Sequence, residues 1–229
     1  MSEIVIKTAG LYKIYNEDTI PVYALRDVSV EIERGAFVAV VGPSGSGKTT
    51  LLNIVGGLDQ PTRGNVTVDD RELAGMSENE LINFRRDHIG FVFQAFNLIP
   101  VLTARENAEF VMLLQGIPDP ERSERVDGLL KAVGIADKAG NKPSELSGGQ
   151  QQRVAVARAL APKPAFVLAD EPTANLDTTS AYNLLDMMEK LNKEEHITFV
   201  FSTHDPRVME RARRIITLED GAVVSDVVK

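Results

Sequence analysis

Gly42, Gly47, Lys48 and Thr49 satisfy the spacing G-x-x-x-x-G-K-[ST] within the run Gly42-Pro43-Ser44-Gly45-Ser46-Gly47-Lys48-Thr49-Thr50. Such a loop cradles phosphates with its backbone N–H groups, adds a cation from the lysine and offers the threonine hydroxyl to Mg2+. The continuous apolar run Phe37 to Val41 before it predicts a strand buried on both faces. Thr50 to Val55 after it predicts a buried helix whose N-terminus points at the phosphates. A second buried strand, from Phe166 to Ala169, ends in Asp170 and Glu171 at the edge where open α/β sheets bind ligands. Asp170 suits Mg2+, an ion that keeps several waters and takes few protein carboxylates. Glu171, one residue on, points elsewhere and is placed to polarise an attacking water.

A further phosphate-binding element follows the first by about a hundred residues. Ser147-Gly148-Gly149-Gln150, in LSGGQQQRVAVARAL, sets a serine and two glycines before a helix predicted from Gln151 to about Ala161. Free N–H groups and the positive dipole end make that turn an anion site. One triphosphate does not need two such sites if they stand on separate lobes.

The elements that must position these residues read as strand, loop, helix, strand, helices, strand, helix and strand. That order implies a mainly parallel sheet with right-handed crossovers. Residues 1–35 and about 64–70 read as short alternating strands (Val28, Val30, Ile32; Val66, Val68) forming a small antiparallel layer. Ser77 with Glu80 and Thr103 with Glu106 are capping boxes opening helices to about Arg86 and Gln115. Val126, Leu129, Leu130 and Val133 then fall on one face of a helix stopped by Gly134. The chain therefore divides into a core, 1–94 and 158–229, and an inserted helical subdomain, 95–157, that carries the Ser147 turn. Phe96, Leu98, Ile99, Pro100, Val101 and Leu102 are apolar for a surface loop, and part of this stretch is expected to form a groove for a partner's helix.

A chain of 229 residues with 43% apolar content supports one large α/β domain. Its net charge of −8 argues against nucleic acid as a partner, which calls for a basic face. The absence of cysteine excludes disulfides and thiolate-bound metals. The N-terminus lacks the basic flank and apolar core of a signal peptide, and no apolar segment approaches the ~18 residues of a membrane span. Any pore is expected on another chain.

Together the Gly42 loop, the Ser147 turn and FVLADEP (Phe166 to Pro172) resemble the ATP-binding subunits of ABC transporters, over essentially the whole chain. The resemblance implies a P-loop NTPase (RecA-like) fold, with ATP and Mg2+ as cofactors and hydrolysis as the activity. It implies a homodimer around two Mg·ATP, in which the Ser147 turn of one subunit covers the γ-phosphate held by the Lys48 loop of the other. It assigns Gln94 to the metal and the water, Asp177 (in Asn175-Leu176-Asp177) to the dimer interface, and His204 to sensing the γ-phosphate. Tyr15 matches the residue that stacks on adenine, with Tyr12 and Tyr23 as competitors. His88 and His196 have no such context and read as surface residues.

Within the family, GFVFQ, FNLIP and the Ser147 segment are most similar to the branch of macrolide-export and lipoprotein-release ATPases, whose partner is a four-helix membrane permease. The expected place is the cytoplasmic side of the membrane, held there through the permease. A non-transporting ATPase that transmits force to a cell-envelope partner is the alternative, and a soluble scaffold ATPase a further one. The lack of a guanine-reading acid in Asn141-Lys142-Pro143-Ser144 argues against a GTPase.

Overall fold

The computed structural model of the chain describes residues 3–229. An antiparallel sheet of five strands is built around β1 (Ile4–Tyr15), which pairs with β2 (Val22–Val28), β3 (Glu31–Glu33) and β5 (Arg63–Val68), the last pairing with β6 (Arg71–Glu72). The expected alternation is present, since Val28, Val30, Ile32, Val66 and Val68 are all buried. β1 is not short: it runs 12 residues and shifts register against each of its three partners. Such irregularities let a long strand twist around its neighbours.

The second sheet contains β4 (Phe37–Val41), β7 (Ile89–Val92), β8 (Phe166–Asp170), β9 (Thr198–Ser202), β10 (Arg214–Glu219) and β11 (Ala222–Val228). Its order is β11-β10-β4-β9-β8-β7, parallel throughout except for β11 at one edge. Every residue of β4 and β9 is buried, as two-sided coverage requires. Phe37, Ala39 and Val41 face one apolar cluster with Phe199 and Phe201, while Val38 and Val40 face the other with Val200. This is the two-residue period of a strand read from both sides.

Helix α1 (Lys48–Val55), α2 (Glu78–His88) and the antiparallel sheet cover the Val38 face. On the Phe37 face lie α3 (Ala104–Leu114), α4 (Asp119–Ala132), α5 (Gly148–Leu160), α6 (Thr178–Glu195) and α7 (Pro206–Arg211). The capping boxes at Ser77 and Thr103 form, and Val126, Leu129, Leu130 and Val133 are buried. α5 begins earlier than the sequence suggests. Ser147 is its N-cap and Gln150 closes a third capping box, which draws both glycines into the first turn.

Registers Val40↔Ser202 and Asp170↔Ser202 align the C-terminal ends of β4, β9 and β8. The loops after these strands, carrying Gly42, Thr203 and Glu171, therefore leave the sheet side by side.

Candidate functional site

The loop between β4 and α1 can be made only with glycine at two of its turns. Gly42 has φ +150° and Gly47 has φ +100°, and a Cβ at either would collide with a backbone oxygen, of Leu218 and Ala24 respectively. At Gly45 the space beyond the backbone is open. Lys48 is buried, and its Nζ donates to the carbonyls of Gly42 (2.9 Å) and Pro43 (2.8 Å). Both acceptors are neutral backbone carbonyls. Ser46 Oγ is buried without a hydrogen-bond partner. With the N–H groups that α1 cannot use itself, these donors fit an anion of phosphate size.

The acids at the end of β8 diverge as expected. Asp170 accepts from Thr49 Oγ1 at 3.2 and 3.3 Å, which brings a hydroxyl and a carboxylate together at the phosphate loop. Glu171 turns the other way, with φ +45°. A left-handed backbone in a residue with a Cβ costs roughly 1 kcal/mol or more. Its N–H donates to Ser202 O, tying the turn to β9. Its carboxylate meets His204 Nδ1 at 2.6 Å and Thr203 Oγ1 at 3.0 Å. The His204 side chain is 76% exposed and that of Glu171 15%, so the imidazole forms the open side of the pair.

Gln94 is exposed in the loop after β7, where its carbonyl accepts from Asn175 Nδ2 at 2.8 Å. Asp177 is the N-cap of α6, accepting from Ser180 N and Oγ. The hydroxyl and then the backbone N–H of Ser180 hold its carboxyl below the usual range. The Ser147 turn packs here as well: Asn175 O, Leu176 and Phe96 surround Gly148, and Ser180 lies against Gly149. Ser147 Oγ is committed to the Gln150 N–H, and Ser147 N–H to Gln150 Oε1.

Tyr15, at the end of β1, is 38% exposed and held from two directions. Its hydroxyl donates to Asp59 Oδ2 at 2.8 Å, and Lys13 Nζ sits 4.8 Å from the ring centroid while bonding Asp59 Oδ1. Burial, then the Asp59 contact, pushes the phenol pKa up. Burial also raises the Asp59 carboxyl, but the Lys13, Tyr15 and Gln60 contacts outweigh it and leave the group below its ordinary value. The Lys13 and Asp59 contacts carry no motif and were not anticipated; Tyr23 instead lies under Arg26.

One sequence reading needs correction. His88 is half-buried, stacked on Phe84 at 4.7 Å with Nδ1 3.0 Å from Asp69, because the end of α2 folds against the antiparallel sheet; His196 is exposed, as expected. The apolar stretch after Gln94 is split by its own backbone. Phe96 and Asn97 are both left-handed (φ +57° and +51°), and their carbonyls are held by the Arg158 guanidinium of α5. Phe96 is thereby turned toward Gly148 and Leu98 toward the core, while Ile99 lines a groove of about 480 Å³. Leu58, Ile82, Phe91 and Leu114 are among the other apolar residues that line it.

Comparison with known proteins follows the same pattern. The family described as ABC transporter matches residues 25–174, which takes in Gly42 to Thr50, the Ser147 turn and Glu171 but stops short of Asp177 and His204. An uncharacterised ABC transporter ATP-binding protein of Thermotoga maritima is 46% identical over 219 residues, 96% of this chain and 93% of the relative. The macrolide export ATP-binding/permease protein MacB of Neisseria meningitidis is 48% identical over 208 residues, 91% of this chain but only 32% of that longer protein. Among solved structures, a dimeric post-hydrolysis state of the ATP-binding cassette MJ0796, bound to ADP and Pi, superposes with a TM-score of 0.89 at 44% identity, covering 97% of this chain and 98% of the other. The sequence of that name is from Methanocaldococcus jannaschii.

Proposed function

The chain belongs to the ABC transporter family, as an ATP-binding and ATP-hydrolysing subunit, and we propose that it works as a homodimer around two Mg·ATP, driving a separate four-helix membrane permease in export or lipoprotein release. The observation that carries the reading is the meeting of Lys48, Thr49, Asp170, Glu171 and His204 at one sheet edge. Lys48 and the amides from Gly42 to Thr50 hold the phosphates, and Tyr15 presents its ring to the adenine. Mg2+, when bound, neutralises charge on phosphate oxygens. Thr49, Asp170 and Gln94 would hold it. That donor set suits an ion needing few protein carboxylates, and among the described residues no cluster of three or more acids or histidines exists to attract another metal. Glu171 takes the proton of the attacking water, and His204 contacts the γ-phosphate. Ser147, Gly148, Gly149 and Gln150 complete the opposite subunit's site, with Asp177 at the dimer interface.

The groove beside Ile99 supports a membrane partner. Its walls also carry Arg85, Arg86 and Arg158 but no carboxylate, which fits an amphipathic helix bearing an acidic side chain. Among the described residues no helix is long and apolar enough to cross a membrane, so the spans are assigned to that partner, which holds this chain at the cytoplasmic face. Export is favoured by the likeness to a protein named for macrolide export.

Glu171→Gln tests the assignment of the base. The variant should bind ATP, lose turnover by about a hundredfold or more, and accumulate a Mg·ATP-dependent dimer in size-exclusion chromatography with light scattering. Turnover at the wild-type rate would remove Glu171 from the role.

A further inference from the structure

We propose that Thr203 is a positioning residue for hydrolysis: its hydroxyl, oriented by the Asp205 N–H, fixes one oxygen of Glu171 so that the other faces the open side of the site. Thr203 is fully buried in the loop immediately after β9. Its Oγ1 accepts from Asp205 N at 2.9 Å and lies 3.0 Å from Glu171 Oε2. A hydroxyl has a single hydrogen. With the amide proton directed at its lone pair, that hydrogen is free to go to the carboxylate. Oε1 lies 2.6 Å from His204, whose side chain is exposed. The carboxylate is thus pinned from the protein side by Thr203 and met from the solvent side by the histidine.

The donor is itself anchored. Asp205 is buried, accepts from Thr173 Oγ1 at 2.5 Å, and is bound by the Arg207 guanidinium. Two loops are therefore cross-braced: Glu171 on Thr203, and Thr173, two residues after Glu171, on Asp205. Thr203 Oγ1 is the atom of this brace that touches the proposed base. The brace also restrains a left-handed residue, Glu171, that would otherwise relax to a commoner conformation.

This inference rests on Glu171 being the base, so both are tested in one steady-state ATPase series on the full chain. Thr203→Val removes the hydroxyl at nearly constant shape. It should lower kcat at least about tenfold while KM for ATP stays within about twofold. Thr203→Ser should restore kcat to within about threefold of wild type. In a Glu171→Gln background, Thr203→Val should change nothing further, because a residue that acts only through Glu171 has nothing left to act on. If Thr203→Val does not fold, Thr203→Cys carries the test. Its thiol is a weak donor, so kcat should fall below that of Thr203→Ser, and equality of the two would overturn the proposal. Wild-type kcat in folded Thr203→Val, a rise in KM matching the fall in kcat, or a further loss in the Glu171→Gln background would each overturn it too. Wild-type turnover in Glu171→Gln would instead refute the base assignment, whatever Thr203 does.

Discussion

Asn107 should be worth more to this fold than its absence from any motif suggests. It is fully buried on α3 and organises the loop leading from Gln94 to that helix. Its Oδ1 accepts from Ile99 N at 2.7 Å, and its Nδ2 points at the carbonyls of Ile99 (3.1 Å), Leu102 (3.1 Å) and Thr103 (3.0 Å). Two amide hydrogens must be shared among the three carbonyls, and Thr103 O already accepts the Asn107 N–H of the helix. Asn107→Leu therefore removes about three effective hydrogen bonds at roughly 1 kcal/mol each, for an expected loss of about 2–3 kcal/mol. In a chain of this size that lowers Tm by about 4–12 °C. Thermal and urea unfolding followed by circular dichroism measure it. Ile99 would lose its anchor, so capture of the membrane partner should weaken, whereas KM for ATP should hold, since no atom of the phosphate loop bonds to Asn107. A loss under about 0.5 kcal/mol, the level of an ordinary surface change, would refute the reasoning.

The ion-paired Asp59 predicts a pH dependence. Its folded-state pKa lies below its unfolded value, so its contribution to stability is present above the ordinary carboxylate pKa of about 3.9 and is lost as pH falls through the folded value. The stability gap between wild type and Asp59→Asn should thus be open at neutral pH and close in acid; a gap unchanged between about pH 7 and pH 3 would contradict this. Arg85, which donates to Gly57 O and has no acid beside it in the groove, should select the docking helix by charge. Arg85→Glu should lose co-purification with the membrane partner from detergent-solubilised membranes while keeping basal ATPase activity, and retained co-purification would place docking elsewhere.

What could be read from the sequence was local. The Gly42 loop, the acids after β8 and the capping boxes at Ser77 and Thr103 each consist of neighbours a few residues apart, so their spacing announces them. The start of α5 was misplaced because a Gly-Gly pair disfavours helix, and the Ser147–Gln150 box overrides that preference. The left-handed pair Phe96-Asn97 gave no signal at all. No glycine marks it, and the guanidinium that holds it comes from Arg158, 61 residues after Asn97. Burial draws the pKa of that guanidinium down, yet an arginine remains charged, and both backbone carbonyls satisfy it. Thr203, Asp205 and the Lys13–Asp59 clamp were missed for the same reason: each acts between segments distant in sequence that only the folded chain brings together.

The composite site is tested most directly by mixing two inactive subunits. Lys48→Ala lacks the phosphate cradle, and Ser147→Arg places bulk and charge at the turn that should cover the partner's nucleotide. A heterodimer of the two contains one wholly mutant site and one in which an intact Lys48 loop meets an intact Ser147 turn. ATP hydrolysis above the sum of the separate samples is the expected result. No recovery, with heterodimers demonstrated by pull-down of differently tagged subunits, would contradict a site shared between two chains.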